Sequence, residues 1–174
     1  MPRIVRLLLL TPLFVARLVS AETIDVGDRL PSFTLKAWDG TRLDASAFAG
    51  KPLLVDFWAS FCIPCRAALP AIDDMAKRLR DRGVAVLAIN IDRDRAAADA
   101  WLAERLPTRH MTMAHDPEGA LLARCGAFGM PTAYVVDRDG IVRLVESGYT
   151  PDRVAAIERA IEELLAPRCE TPTP

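Results

Sequence analysis

The cysteine pair in Cys62-Ile63-Pro64-Cys65 constrains this chain more than any other feature, because of the segments on either side of it. The preceding run, residues 53–57, is apolar and β-branched, which predicts a buried strand. The segment that follows carries apolar residues at spacings of three and four, which predicts an amphipathic helix. The sequence therefore places Cys62 at a strand-to-helix junction.

This position bears on the chemistry of Cys62. Only the thiolate of a cysteine is a nucleophile, and the unpaired N–H groups at a helix N-terminus favour negative charge. A cysteine one turn later can close a ring with Cys62 and open it again without refolding. We interpret Cys62 as an attacking thiol and Cys65 as the less exposed thiol that resolves the mixed disulfide with a substrate.

Asp56 is a lone carboxyl inside the apolar run before the cysteines. An unpaired buried charge is costly, so we expect burial to raise the pKa of Asp56. A raised pKa suits a group that accepts and returns a proton near neutrality. The alternative is a structural carboxylate paired with Lys51 or with a backbone amide.

The residues around the cysteine pair closely resemble the active-site pattern of the thioredoxin superfamily. The match covers an aspartate six residues before the first cysteine, a Phe-Trp-Ala lead-in, Cys-X-Pro-Cys, and Pro70. Further along, residues 129–137 resemble the cis-proline loop and the strand that follows it. Residues 27–35 and 46–52 resemble the N-terminal part of the TlpA/ResA group of exported thiol-disulfide proteins, and the likeness covers residues 24–165.

The resemblance implies an α/β thioredoxin fold. Its central mixed β-sheet is flanked by helices, with an N-terminal β-hairpin and a helical insertion before the cis-proline strand. It also implies that Asp56 deprotonates Cys65 through water, that Pro131 is a cis-proline facing the disulfide, and that no cofactor is needed. The residues expected to contact substrate are Trp58, Phe61, Ile63, Pro64, Met130 and Thr132, although Trp58 could equally belong to the core.

Periodicity predicts the remaining elements. A fully apolar strand is expected at residues 84–91, and an amphipathic helix at 95–105 with Ala97, Ala100, Trp101 and Leu102 turned inward. The other expected elements are a short strand at 111–115, a helix from 117 to 126, a hairpin of strands 132–136 and 141–146, and a last helix at 151–165.

The ends of the chain differ in composition from the middle. Residues 1–21 combine early arginines, an apolar run and small residues, which predicts a secretory signal peptide and a periplasmic protein that is soluble after cleavage. An uncleaved anchor is the competing interpretation, but ten helical residues rise only ~15 Å against an apolar membrane core of about 30 Å. Residues 22–166 are predicted to form one thioredoxin-like domain, and 167–174 a flexible tail.

Two further groups of residues leave alternatives open. Cys125 and Cys169 could pair in an oxidising compartment or stay free. Met111, Met113 and His115 alternate along a predicted strand and so share a face, which copper could use, although such methionines more often pack in a core. We predict no metal in the site, and the net charge of −1 offers no basic surface for nucleic acid.

Because Ile63 and Pro64 supply neither charge nor a side-chain donor to a thiolate, we predict a reductase of protein disulfides rather than a strong oxidant. By resemblance, its substrates are apocytochrome c or copper-site proteins, and a membrane electron donor of the DsbD or CcdA type reduces it again. The alternatives are a disulfide oxidase or isomerase, a copper-delivery module and a thiol peroxidase. The peroxidase signature, Pro-X3-Thr/Ser-X2-Cys, is missing around Cys62.

Overall fold

The computed structural model of the protein describes residues 23–167, which form one seven-stranded sheet with helices on both faces. The strands are β1 (Thr34–Ala37), β2 (Arg42–Asp44), β3 (Leu53–Trp58), β4 (Ala85–Asn90), β5 (Thr112–His115), β6 (Thr132–Val136) and β7 (Val142–Ser147). The α-helices are α1 (Ile63–Leu79), α2 (Ala96–Arg105), α3 (Ala120–Arg124) and α4 (Pro151–Leu165). Short 3-10 turns follow β2 and α1, at Ala45–Phe48 and Arg80–Arg82.

The sheet is mixed, with the strand order β2-β1-β5-β4-β3-β6-β7. Its centre is parallel, because β3, β4 and β5 run the same way and are joined by crossovers through α1 and α2. β6 and β7 extend one side antiparallel, and the β1–β2 hairpin pairs antiparallel with β5 on the other side. The predicted thioredoxin fold, with its N-terminal hairpin and its helical insertion before β6, is confirmed.

Two apolar clusters hold the sheet, one on each face. The first, the α1-side core, includes Leu54 and Trp58 of β3 together with buried residues of α1, α2 and α4. The second, the α3-side cluster, includes Val55 and Phe57 of β3 together with Leu121 of α3. Both faces of β3 are covered by an apolar cluster, so every residue of the strand is buried. Because side chains alternate along a strand, Asp56 lies on the same face as Leu54 and Trp58, towards α1.

The helix at residues 95–105 exists, and its predicted inward face is correct for Leu102 and Trp101 but wrong for the two alanines. The structure buries Ala98 and Leu102, leaves Ala97 and Ala100 exposed, and half-buries Trp101. A methyl group removes little apolar area from water, so the alanines do not fix the rotation of a helix. The larger Leu102, which packs into the α1-side core, fixes it instead.

The helix predicted from residue 117 begins three residues later, at Ala120. The Asp116 carboxylate accepts the N–H groups of Ala120 and Leu121 at 3.1 and 2.9 Å, which satisfies two donors at the start of α3. The chain before Ala120 forms a turn that ends at Gly119, whose φ of +62° is left-handed. The helix ends at Arg124, just before the predicted stop at Gly126.

Residues 1–22 and 168–174 lie outside the described part of the chain. The signal peptide predicted at residues 1–21 falls there, as does all of the predicted tail except Pro167, so both stay predictions. Between residues 23 and 167, no helix has the length and apolar character needed to cross a membrane.

Candidate active site

β3 leads directly into the turn that carries the first cysteine. The N–H of Cys62 donates to the carbonyl of Ala59 at 3.1 Å, which closes the turn at residues 59–62. Cys62 is then the N-cap residue of α1, and its Sγ accepts the N–H of Cys65 at 3.2 Å. Pro64 fits the first turn because an N–H at that position would have no partner inside the helix. The predicted strand-to-helix junction at Cys62 is confirmed.

Cys62 and Cys65 form a disulfide, with their Cα atoms 5.2 Å apart. The two cysteines differ in access, since Cys62 is 9% exposed and Cys65 has no exposed surface. A partner thiol or disulfide can therefore reach Cys62 but not Cys65. This is the asymmetry expected of an attacking and a resolving thiol.

Asp56 lies at the centre of β3 and is 2% exposed. Its Oδ2 atom has no hydrogen-bond partner, and burial raises the pKa of Asp56 to about 8. Lys51 is exposed and does not contribute to the pKa of Asp56, which burial alone shifts, so the Lys51 alternative is wrong. The predicted upward shift of this pKa is confirmed, and its cause is desolvation of the charged form.

Trp58 and Thr132 are too deeply buried for their side chains to contact a docked substrate. Trp58 has no exposed surface, its Nε1 has no partner, and its ring centre lies 6.4 Å from that of Trp38 and 5.9 Å from that of Trp101. Thr132 is 2% exposed, and its Oγ1 donates to the carbonyl of Gly129 at 2.7 Å. The core alternative for Trp58 is thus correct, and Thr132 shapes the loop before β6.

The loop before β6 lies next to the cysteine turn. Phe57 pairs with Thr132 across β3 and β6, and because the strands are antiparallel, the residues before Thr132 run alongside the end of β3. The Met130–Pro131 peptide bond is cis, as predicted. Pro131 is buried. Met130 is half-buried and packs against the α1-side core, which also contains both cysteines.

Large apolar side chains are exposed around this site. Phe61 and Ile63, on either side of Cys62, are 68% and 70% exposed, and Pro64 is exposed as well. Phe128, which sequence reasoning missed, is 92% exposed in the loop before β6. Its place two residues before Met130, in a segment that resembles the cis-proline loop, was the available signal. Large exposed apolar side chains near a reactive residue, as Phe61 and Ile63 are, are typical of a protein-docking surface.

Sequence reasoning also missed a buried polar cluster behind the cysteine turn. Asp92, 5% exposed and just beyond β4, accepts both the N–H and the hydroxyl of Ser60, at 2.8 and 2.9 Å. Asn90 donates to the same carboxylate at 2.7 Å. Two polar residues at and just after the last position of a buried parallel strand were the available signal.

The residues considered for other roles lie elsewhere in the fold. Cys125 is a free cysteine with no exposed surface in the cluster on the α3 face of the sheet, which does not favour pairing with Cys169, a residue outside the described part of the chain. Met111 and Met113 pack in the α1-side core, and His115 Nε2 lies 2.6 Å from the carbonyl oxygen of Asp92. The core-packing alternative for the two methionines is correct.

Comparison with known proteins gives a consistent result. The Redoxin family model matches residues 25–161. The chain is 30% identical over 148 residues to the Thiol:disulfide interchange protein DsbE of Pseudomonas fluorescens biotype C, covering 82% of this chain and 80% of that protein. It is 23% identical over 134 residues to the Thiol-disulfide oxidoreductase ResA of Bacillus thuringiensis subsp. konkukian, covering 76% of each.

A solved structure extends the likeness to three dimensions. The crystal structure of a Thiol:disulfide interchange protein DsbE from Chlorobium tepidum superposes with a TM-score of 0.77 at 34% identity, and covers 83% of this chain and all of that one. The family match spans both the cysteine turn and the cis-proline loop. The chain therefore belongs to the Redoxin family, in which it is a thiol-disulfide oxidoreductase similar to DsbE and ResA.

Proposed function

We propose that this protein reduces disulfides of other proteins in the periplasm, with Cys62 as the attacking thiolate and Cys65 as the resolving thiol. The observation that carries the proposal is the asymmetry of the pair. Cys62 caps the N-terminus of α1 and reaches the surface, whereas Cys65 is fully buried one turn later. A helix N-terminus stabilises a thiolate at the first position, where a substrate disulfide can approach.

The reaction proceeds in two exchanges. The Cys62 thiolate attacks one sulfur of the substrate disulfide, so that a Cys62–substrate disulfide forms and the other substrate sulfur leaves as a thiolate that takes up a proton. Cys65 then loses its proton, and its thiolate attacks Cys62 Sγ. The Cys62–Cys65 disulfide forms and the second substrate thiol leaves. Two electrons and two protons pass from the dithiol to the substrate.

Asp56 is the proposed proton acceptor for Cys65. It lies on the face of β3 that α1 covers, and a pKa of about 8 lets the carboxyl exchange a proton near neutral pH. Its Oδ2 has no competing hydrogen bond. Because the group is inside the protein, the proton can be held there while the mixed disulfide excludes solvent.

The substrate would dock on the apolar surface around Cys62. Phe61, Ile63 and Phe128 supply exposed apolar area, Pro64 extends it, and the loop at Met130 and Pro131 borders it. An extended peptide lying along this loop would bring its disulfide to Cys62. The relatives named above are called thiol:disulfide interchange proteins and thiol-disulfide oxidoreductases, which supports a disulfide as substrate.

The reducing direction rests on the neutral residues of the dithiol ring. Ile63 and Pro64 bring no charge or side-chain donor to the thiolate, so it lacks the extra stabilisation that characterises strong oxidants. A reductase in the periplasm must be reduced again after each turnover, and we propose a membrane dithiol donor of the DsbD or CcdA type. Apocytochrome c and copper-site proteins are the proposed substrates.

The test is the equilibrium reduction potential of the Cys62–Cys65 couple, measured in glutathione or dithiothreitol buffers. A variant with serine at Cys125 and Cys169 serves as the control, because it leaves a single redox pair. We expect a value between about −270 and −220 mV, in the range of reducing thioredoxin-like proteins. A value near about −120 mV would contradict the reductase proposal and identify an oxidant that introduces disulfides.

A further inference from the structure

The buried carboxylate of Asp92 accepts hydrogen bonds from the turn that carries Cys62. Asp92 accepts the backbone N–H of Ser60 through Oδ2 at 2.8 Å and the Ser60 hydroxyl through Oδ1 at 2.9 Å. Ser60 lies two residues before Cys62 in the turn closed by the Cys62-to-Ala59 hydrogen bond. The Asp92 carboxylate therefore binds the second residue of the turn at residues 59–62, and the last residue of that turn is the nucleophile.

Asp92 is itself fixed by three neighbouring contacts. Asn90 donates its side-chain N–H to Asp92 Oδ2 at 2.7 Å, and Asn90 Oδ1 accepts the Asp92 backbone N–H at 3.1 Å. His115 Nε2 lies 2.6 Å from the Asp92 carbonyl oxygen, to which it donates. With the N–H and hydroxyl of Ser60, the Asn90 amide makes three donors that converge on the Asp92 carboxylate.

A negative charge at this place opposes a second negative charge on Cys62. The N-terminus of α1 favours the thiolate, whereas the Asp92 carboxylate behind the same turn disfavours it. The donors from Ser60 and Asn90 offset part of the carboxylate's charge. The thiolate fraction of Cys62 is then a balance between the helix on one side and Asp92 on the other.

We propose that Asp92, acting through Ser60, is a positioning residue that limits the thiolate fraction of Cys62 and so keeps the dithiol a reductant. A thiolate that is less stabilised makes the reduced form less stable relative to the disulfide, which favours electron donation. The inference rests on the proposed function, because it takes Cys62 as the attacking thiol.

Asp92→Asn isolates the charge. The amide oxygen can accept the N–H groups of Ser60 and Asn90, and the amide nitrogen can donate to the Ser60 hydroxyl, so all three contacts survive while the charge is lost. The other charged or titratable groups on adjacent segments, Asp56, Arg66, Arg93 and His115, are unchanged. Below the Cys62 pKa we expect about tenfold more Cys62 thiolate; above that pKa, where the thiolate is the main reduced form, we expect a dithiol–disulfide equilibrium in glutathione shifted about tenfold towards the dithiol.

Ser60→Ala is the second variant, and its expected effect has the opposite sign. It removes one donor from the carboxylate, keeps the charge, and changes a loop residue that is only partly buried. The Asp92 charge is then less offset, so we expect about two- to fourfold less Cys62 thiolate and a corresponding shift towards the disulfide. Ser60→Thr, which keeps the hydroxyl, should restore the original values.

The readout is the pH dependence of Cys62 alkylation, located by peptide mass spectrometry, with the glutathione equilibrium measured on the same samples. If Asp92→Asn or Ser60→Ala leaves both quantities unchanged in folded protein, the inference is overturned and Asp92 is purely structural. If Asp92→Asn does not fold, the sign of the Ser60→Ala effect decides. If Cys65 is alkylated before Cys62 in the unaltered protein, the proposed function fails instead.

Discussion

Cys62 and Cys125 are the same chemical group placed at opposite ends of two helices. Cys62 is the N-cap residue of α1, reaches the surface, and bonds to a partner cysteine. Cys125 is the C-cap residue of α3, on the other face of the sheet, and has no exposed surface. Burial in this apolar cluster raises the pKa of the Cys125 thiol to about 12.

The comparison shows how the fold assigns chemistry to a cysteine. N–H groups at a helix N-terminus stabilise a thiolate, whereas carbonyl groups at a C-terminus and an apolar environment both destabilise it. Reactivity therefore follows from position in the structure rather than from residue type. The same contrast applies to carboxylates, since Asp56 lacks a partner at Oδ2 while Asp92 accepts three hydrogen bonds.

The largest expected effect separates the two cysteines by activity. Cys62→Ser should lower the rate of insulin disulfide reduction by at least about a thousandfold, because a hydroxyl is not ionised near neutral pH and cannot attack. Cys125→Ser should change that rate less than about twofold, since the residue lies away from the site. If both folded variants lose the same fraction of the reduction rate, the proposed difference in function between Cys62 and Cys125 is contradicted.

The second expected effect concerns the buried carboxylate. Asp56 has its pKa raised to about 8 in the folded protein, against an ordinary value of 3.8. The folded state therefore binds more protons than the unfolded state between these values, and stability falls as pH rises through that window. Asp56→Asn should remove this loss and raise the free energy of unfolding at pH 7 by on the order of 3 to 5 kcal/mol.

Urea unfolding of the oxidised protein at several pH values measures this effect. The variant and the unaltered protein should differ little near pH 4 and diverge as pH rises, with no further divergence above about pH 8. Asp137→Asn is the matched control, because Asp137 is also buried but pairs with Arg143, and its pKa is lowered. If the difference in unfolding free energy between Asp56→Asn and the unaltered protein does not vary with pH, the raised pKa of Asp56 is contradicted.

A smaller effect is expected on the stability contributed by Cys125. Replacing it with alanine removes a buried sulfur from the α3-side cluster and should cost about 1 to 3 kcal/mol in unfolding free energy. In the reduced native protein, alkylation of Cys125 should proceed only at the rate of local or global unfolding. Alkylation as fast as that of Cys62 would contradict the burial seen here.

The smallest effect is expected from the exposed apolar surface around Cys62. Phe128→Ser should raise KM for a protein disulfide about two- to fivefold with little change in kcat, because it removes docking area without touching the cysteines. Val26→Ser is the matched control, since Val26 is 57% exposed at the N-terminal end of the domain. If both variants change KM alike, Phe128 has no special part in docking.

Much of the fold could be predicted from local pattern. The two long apolar runs predicted β3 and β4, the proline and glycine positions predicted the limits of α4 and the β6–β7 hairpin, and the resemblance supplied the sheet. Local pattern failed where small residues gave no clear phase, as in α2, and where a side chain from outside the helix set its start, as Asp116 does for α3.

The sequence by itself determined the dithiol, its place at a strand-to-helix junction, and the burial of Asp56, because these depend on neighbours along the chain. Only the tertiary structure decided that Trp58 and Thr132 are buried, that Phe128 is almost fully exposed, and that Asp92 accepts hydrogen bonds from Ser60, 32 positions earlier in the sequence. Such contacts depend on the packing of β4, β6 and the loops against β3, and local spacing carries no information about distances between separate segments.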